Sequence, residues 1–157
     1  MKRFLACAAI AGLAFASTAQ AGTANNNFTV STSLTSMCTA TNSGTATVDF
    51  GTYVAFQAGI QGSTTVNLLF QCTRGLTAPT VAFDTGSGLG VVAGLQYTLT
   101  AAAAVFSAGT AATTATIGTG DGYSYGVSGS MPAGQAGTCA AASCPGVTAA
   151  RILIVTF

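Results

Sequence analysis

Phe28, Val30, Thr32 and Leu34 alternate with Thr29, Ser31 and Ser33, the period of two that gives a β-strand one apolar face. Similar short runs, bounded by Gly, Ser, Thr, Asn and Pro, recur along the chain, and helical spacing is hard to find beyond Ala21. The pattern predicts strands over 27–34, 45–50, 63–72, 80–84, 95–100, 122–128 and 149–157. Short strands at this density, separated by turn signals, predict an all-β fold and point to a two-sheet sandwich. The alanines of 101–106 favour a helical turn by propensity, but their Gly- and Thr-rich flanks favour loop or strand. Segment 107–121, almost wholly Gly, Ala, Thr and Ser, reads as a surface loop or weak edge strand. With no internal repeat and no linker, one core is expected.

The last strand is apolar on both faces, with Leu153, Val155 and Phe157 on one side and Ile152 and Ile154 on the other. Such a strand belongs in a sheet interior, flanked on both sides. No residue follows Phe157 in this sequence, so the missing neighbour is expected from earlier in the chain or from another molecule. An uncovered edge offers bare N–H and C=O groups that recruit other chains. Segment 28–34, preceded by the polar 22–27, is either the first strand of its own sandwich or a strand meant for a neighbour. Arg151 either anchors the entrance of the last strand or is solvated, and solvation is the favoured reading.

Composition narrows the functional classes. Lys2 and Arg3, the apolar run 4–16 and the Ala19-Gln20-Ala21 end have the layout of a cleaved secretory signal over 1–21. The run falls short of the roughly 20 residues a membrane-spanning helix needs, so no stable membrane insertion is expected. Beyond it only Arg74 and Arg151 face Asp49, Asp84 and Asp121, too few cations for nucleic-acid binding. Only 4% of the chain is charged, far below the roughly 25% usual for a globular protein, which predicts a neutral exterior. Cys7 lies within the signal, and Cys38, Cys72, Cys139 and Cys144 form an even set suited to two disulfides in an exported chain. Three connectivities exist, of which Cys38–Cys72 with Cys139–Cys144 is favoured. Without His, and without paired Cys-x-x-C knuckles, a zinc site is not expected.

Catalytic candidates are few. Ser and Thr abound, but the mature segment has neither His nor Lys to activate them. An Asp84–Asp121 carboxylate pair is conceivable. Turn chemistry is the better reading for Asp49 in Asp-Phe-Gly, Asp84 in Asp-Thr-Gly and Asp121 in Asp-Gly. The Asp-Thr-Gly tripeptide lacks any supporting aspartic-protease context. Asp49-Phe50-Gly51 likewise lacks the glycine-rich loop and lysine of a kinase. No enzyme and no cofactor are expected.

An ordered set of short motifs spans the chain beyond the signal. It runs from the alternating strand ending at Cys38 through Asp49-Phe50-Gly51 and Val66-Asn-Leu-Leu-Phe-Gln-Cys72. It continues with Val81-Ala-Phe-Asp84-x-Gly86, Leu95-Gln-Tyr97-x-Leu99, Tyr125-Gly126 and Pro132-Ala-Gly-Gln135, and ends on a strand closing at an aromatic residue. In this order the chain resembles the spore coat protein U domain family, which includes subunits of archaic chaperone-usher pili of Gram-negative bacteria. Segment 137–146 departs from the family pattern by carrying a small cystine loop.

The resemblance implies an incomplete immunoglobulin-like β-sandwich completed by a donated strand. It implies a donor segment over 22–35 and a domain over 36–157. Phe28, Val30, Thr32 and Leu34 would be the donor residues, and Leu153, Val155 and Phe157 would line the acceptor groove and bind the chaperone. Cys38–Cys72 would be the family disulfide. The implied partners are other copies or related subunits, a periplasmic chaperone and an outer-membrane usher, on a route through the periplasm to the cell surface. The implied function is a structural subunit of a pilus or surface coat. A self-contained secreted binding module or adhesin, recognising carbohydrate or hydrophobic surfaces, is the rival reading.

Overall fold

The computed structural model describes residues 24–42 and 46–157; the expected signal over 1–21 lies outside the described residues. The chain divides into two units, Met1–Ser33 and Leu34–Phe157, and the fold is that of the second. All described regular structure is β: β1 (Cys38–Ala40), β2 (Gln61–Gly62), β3 (Val66–Cys72), β4 (Thr80–Phe83), β5 (Leu89–Val92), β6 (Leu95–Ala101), β7 (Val105–Ser107), β8 (Asp121–Met131) and β9 (Leu153–Thr156). Every pairing is antiparallel.

The long β8 organises a seven-stranded sheet of order β1-β3-β8-β6-β5, with β2 and β7 also hydrogen-bonded to β8. Two consecutive short partners serve each of its edges. β3 runs from Val66 opposite Val127 to Cys72 opposite Asp121, and β2 continues that edge with Gln61 opposite Met131. On the other edge β7 pairs Ser107 with Gly122, and β6 pairs Thr98 with Ser130. The alternation in β8 is strict: Tyr123, Tyr125 and Val127 are buried, while Gly122, Ser124, Gly126 and Ser128 face the other way.

A separate two-stranded ribbon joins β4 to β9, with Val81 opposite Val155 and Phe83 opposite Leu153. Its inward side chains meet the larger sheet in two apolar clusters. Tyr97, Leu99, Val127 and Met131 centre the first, which takes Phe83; Cys72, Tyr123 and Tyr125 centre the second, which takes Val81 and Val155; Leu153 packs against both. Thus β9 starts beside the Met131 end of β8 and runs toward its Tyr123 end.

Five expected strands are found with altered bounds, and two are not. Residues 27–34 form no strand, because no other strand offers a backbone ladder to them among the described residues. Of 45–50, Thr45 lies outside the described residues and 46–50 form no strand. That stretch is held by isolated bonds instead: Asp49 N–H donates to Thr64 Oγ1 at 3.1 Å, and Thr64 N–H to the Asp49 carbonyl at 2.8 Å. β5 and β6 form a hairpin across Ala93 and Gly94, both at positive φ, as a tight two-residue turn requires. A Cβ on Gly90 would lie inside the Tyr97 ring, so the absence of a side chain there lets the tyrosine cover β5. β9 corrects the expectation of a strand flanked on both faces: Leu153 and Val155 point inward, while Ile152 and Ile154 are exposed.

Candidate functional site

The apolar core is not closed. A groove of about 1230 Å³ opens onto Tyr97, Leu99, Val127 and Met131, side chains at the centre of the first cluster. β3 contributes Val66 and Leu68 to its lining, and the ribbon contributes Phe83 and Leu153. The irregular segment 46–55 and the connection from Ala136 to Ile152 complete it. No described strand pairs with the edge of β9 away from β4, so the ladder stops beside the groove.

Local chemistry holds these walls in place. Asp49 accepts from Gly51 N–H at 2.7 Å, the turn expected of Asp-Phe-Gly, and Phe50 then packs against Tyr97 with ring centroids 5.9 Å apart. Tyr53 hydroxyl donates to the Pro132 carbonyl at 2.6 Å and accepts from Gln135 N–H at 3.2 Å. Gln135 also borders β6, accepting from Gln96 N–H at 2.6 Å and donating from its amide to the Gln96 carbonyl at 3.0 Å. It stands in for a strand partner there.

Arg151 is not a solvated arginine. Its side chain is 13% exposed and pairs with Asp84 at 2.8 Å. It also donates to the carbonyls of Leu89 and Ser87 and to the Thr85 hydroxyl, each at 2.9 Å. The guanidinium lies 5.7 Å from the Phe83 ring centroid and 5.9 Å from that of Tyr97. It binds the start of β9 to the β4–β5 turn, where Asp84 accepts from Thr85 N–H at 3.1 Å. The hydrogen bond from Arg151 holds the Asp84 carboxyl below its ordinary range, and Tyr97 and Asp84 together raise the arginine further.

Asp121 departs from its expected turn role: it is buried at the first position of β8. Its oxygens accept from Gly109 N–H at 2.7 Å and Gly75 N–H at 2.8 Å, so one carboxylate ties two loops to the sheet. Those bonds, the Gly109 one foremost, lower its pKa. Asp84 and Asp121 thus have separate partners and both shift downward, whereas a carboxylate pair dividing acid and base roles needs one shifted up. Burial raises the Tyr125 hydroxyl pKa; that group donates to the Pro79 carbonyl at 3.0 Å.

Both favoured disulfides are formed. Cys38–Cys72 links residues directly opposite on β1 and β3. Cys139–Cys144 closes a small exposed loop that lines the groove. Among the residues expected to act, Leu153 lines the groove, Val155 packs in the second cluster and Phe157 is exposed beyond β9. Phe28, Val30 and Leu34 are 87%, 84% and 80% exposed, and Thr32 is exposed as well. Gln135 carried no mark of its organising role, and Arg151 takes the anchoring role that the sequence ranked second to solvation, since isolated polar residues carry no period that marks their partners. No described residues form a cluster able to hold a metal ion, and no described helix is long and apolar enough to cross a membrane. No family model, curated protein or solved structure matches the chain.

Proposed function

We propose that this protein is a structural subunit of an extracellular pilus or surface coat. Segment 28–34 of one copy fills the open groove of the next. The carrying observation is the groove itself, about 1230 Å³ lined by the centre of the core and bordered by an unpaired edge of β9. An added strand meets both needs at once: its backbone extends the ladder, and its alternate side chains enter the apolar space. Phe28, Val30, Thr32 and Leu34 supply a row of about 20 Å at the strand rise. Leu153 supplies a groove wall for the incoming strand, while Val155 packs in the second cluster and Phe157 stays exposed beyond β9.

In this reading the domain is an incomplete immunoglobulin-like sandwich. A contact between two different surfaces of identical subunits propagates into a filament. An open apolar groove requires temporary cover before assembly, the task of a periplasmic chaperone, with an outer-membrane usher as the assembly site. The signal-like start, the two disulfides and ordered motifs that resemble those of the spore coat protein U domain support export to the surface of a Gram-negative cell.

The test is periplasmic expression of the full chain beside a chain lacking 22–34, with the chaperone and usher. The full chain is expected to give fibres by electron microscopy and a ladder in unheated SDS gels. The truncated chain is expected to bind the chaperone and give neither fibre nor ladder. A full chain that stays monomeric in the presence of chaperone and usher, or a truncated chain that still gives fibres and a ladder, would overturn the proposal.

A further inference from the structure

We infer that an exposed apolar collar at one end of the groove, made by Val54, Phe56 and Ile60, seats the body of the copy that donates the strand. This rests on the proposed donor-strand joint and adds a second contact to it.

The collar is built rather than frayed. Phe56 has φ of 61°, a left-handed conformation that an aromatic residue rarely takes. Bonds on all sides hold it there. Phe56 N–H donates to the Gln135 carbonyl and Gly134 N–H to the Gln57 carbonyl, each at 2.8 Å. Val54 N–H donates to Gln57 Oε1, and Gln57 N–H to the Val54 carbonyl, each at 3.1 Å. The result presents Val54, Phe56 and Ile60 to solvent at 64%, 72% and 74% exposure. Large apolar side chains held out to solvent on a bonded backbone, beside an open groove, suit a contact site.

Geometry selects the occupant. β9 starts at the Met131 end of the groove, since Phe83, opposite Leu153, packs only in the Met131 cluster, Val81 and Val155 pack only in the Tyr123 cluster, and Leu153 touches both. A strand added antiparallel to β9, the more stable pairing, leaves the groove at that same end. The collar is tied there through Tyr53 to Pro132 and through Phe56 to Gln135. In the donating copy, Leu34 is followed closely by Met37, whose N–H donates to Thr73 Oγ1 at 2.8 Å and whose carbonyl accepts from Thr73 N–H at 2.8 Å. Three residues reach at most about 10 Å. The donor's own domain therefore begins at the groove mouth, presenting Met37, itself exposed, and the bend after Cys72 toward the collar.

The test places a photoreactive benzoylphenylalanine at Leu34, Phe56 or Ile60 of the full chain. Mixed fibres of isotopically light and heavy chains distinguish links between copies from links within one. The Leu34 probe is expected to couple to groove peptides of a second copy. The Phe56 and Ile60 probes are expected to couple to peptides carrying Met37 or Thr73. A Leu34 probe that reaches the groove while both collar probes fail to reach that peptide, or reach only their own chain, overturns the collar and leaves the donor-strand joint standing. A Leu34 probe that never reaches a groove overturns both. Phe56→Gly supplies a second measurement: glycine accepts the left-handed φ, so the domain folds undiminished, while the Ile60-to-Met37 cross-link falls at least fivefold.

Discussion

Single side chains with many partners replace the charge network this chain lacks. Arg151 engages a carboxylate, two carbonyls, two hydroxyls and two aromatic faces, so Arg151→Ala removes more than an ion pair. The variant is expected to lose roughly 2 kcal/mol in urea unfolding, with a smaller loss for Arg151→Lys, which keeps charge but not the planar fork. Acid should act through Asp84 and Asp121, whose folded pKa values lie below the unfolded value of about 3.9. A depressed carboxylate stabilises the fold above the unfolded pKa, and that contribution is lost as pH falls through the folded pKa. Thermal stability should therefore be flat from pH 5 to 8, in a chain with no His, and decline below about pH 4. Asp121→Asn should lower stability at pH 7 and flatten the acid decline. Asp84 was legible as a turn residue, but the bonds that Asp121 accepts from Gly75 and Gly109 span distant segments and had no local mark.

Among the strands, β8 shows most clearly how two faces of one element differ. A Cβ at Gly129 would stand 2.8 Å from Phe50 Cζ and 2.9 Å from the Thr98 carbonyl, whereas one at Gly122 meets nothing nearer than 3.5 Å. Gly129→Ala is expected to cost about 1–3 kcal/mol through overpacking, and Gly122→Ala to change stability by less than about 0.5 kcal/mol, both read from denaturant midpoints. The strongest alternations, in β3, β6 and β8, were legible because each buries one face against the same core. The short β1, β2 and β5 escaped because two to four residues hold too little period to distinguish strand from loop. Segment 27–34 is the instructive opposite, with the pattern of a strand and no strand formed. Its alternation describes a face that a ladder partner would bury, and the pattern does not name the partner.

For the whole molecule, the groove predicts a measurable response to its proposed occupant. A synthetic peptide of residues 27–34, added to chaperone-released chain lacking 22–34, should raise the melting temperature in proportion to the logarithm of peptide concentration. At a hundredfold excess over Kd the gain is about 2.7 kcal/mol. A peptide with Val30 replaced by Asp should give no shift, and equal shifts from both peptides would sink the idea of a specific strand site. Period-two patterning, cysteine number and charge poverty were enough to establish an all-β chain with two disulfides, because these are local or compositional properties. Which strands share an edge, that Arg151 turns inward, and that the core stays open beside β9 depend on contacts between residues far apart in sequence. Only the folded chain brings those together, since burial is decided by what lies across the core and not by the neighbours along it.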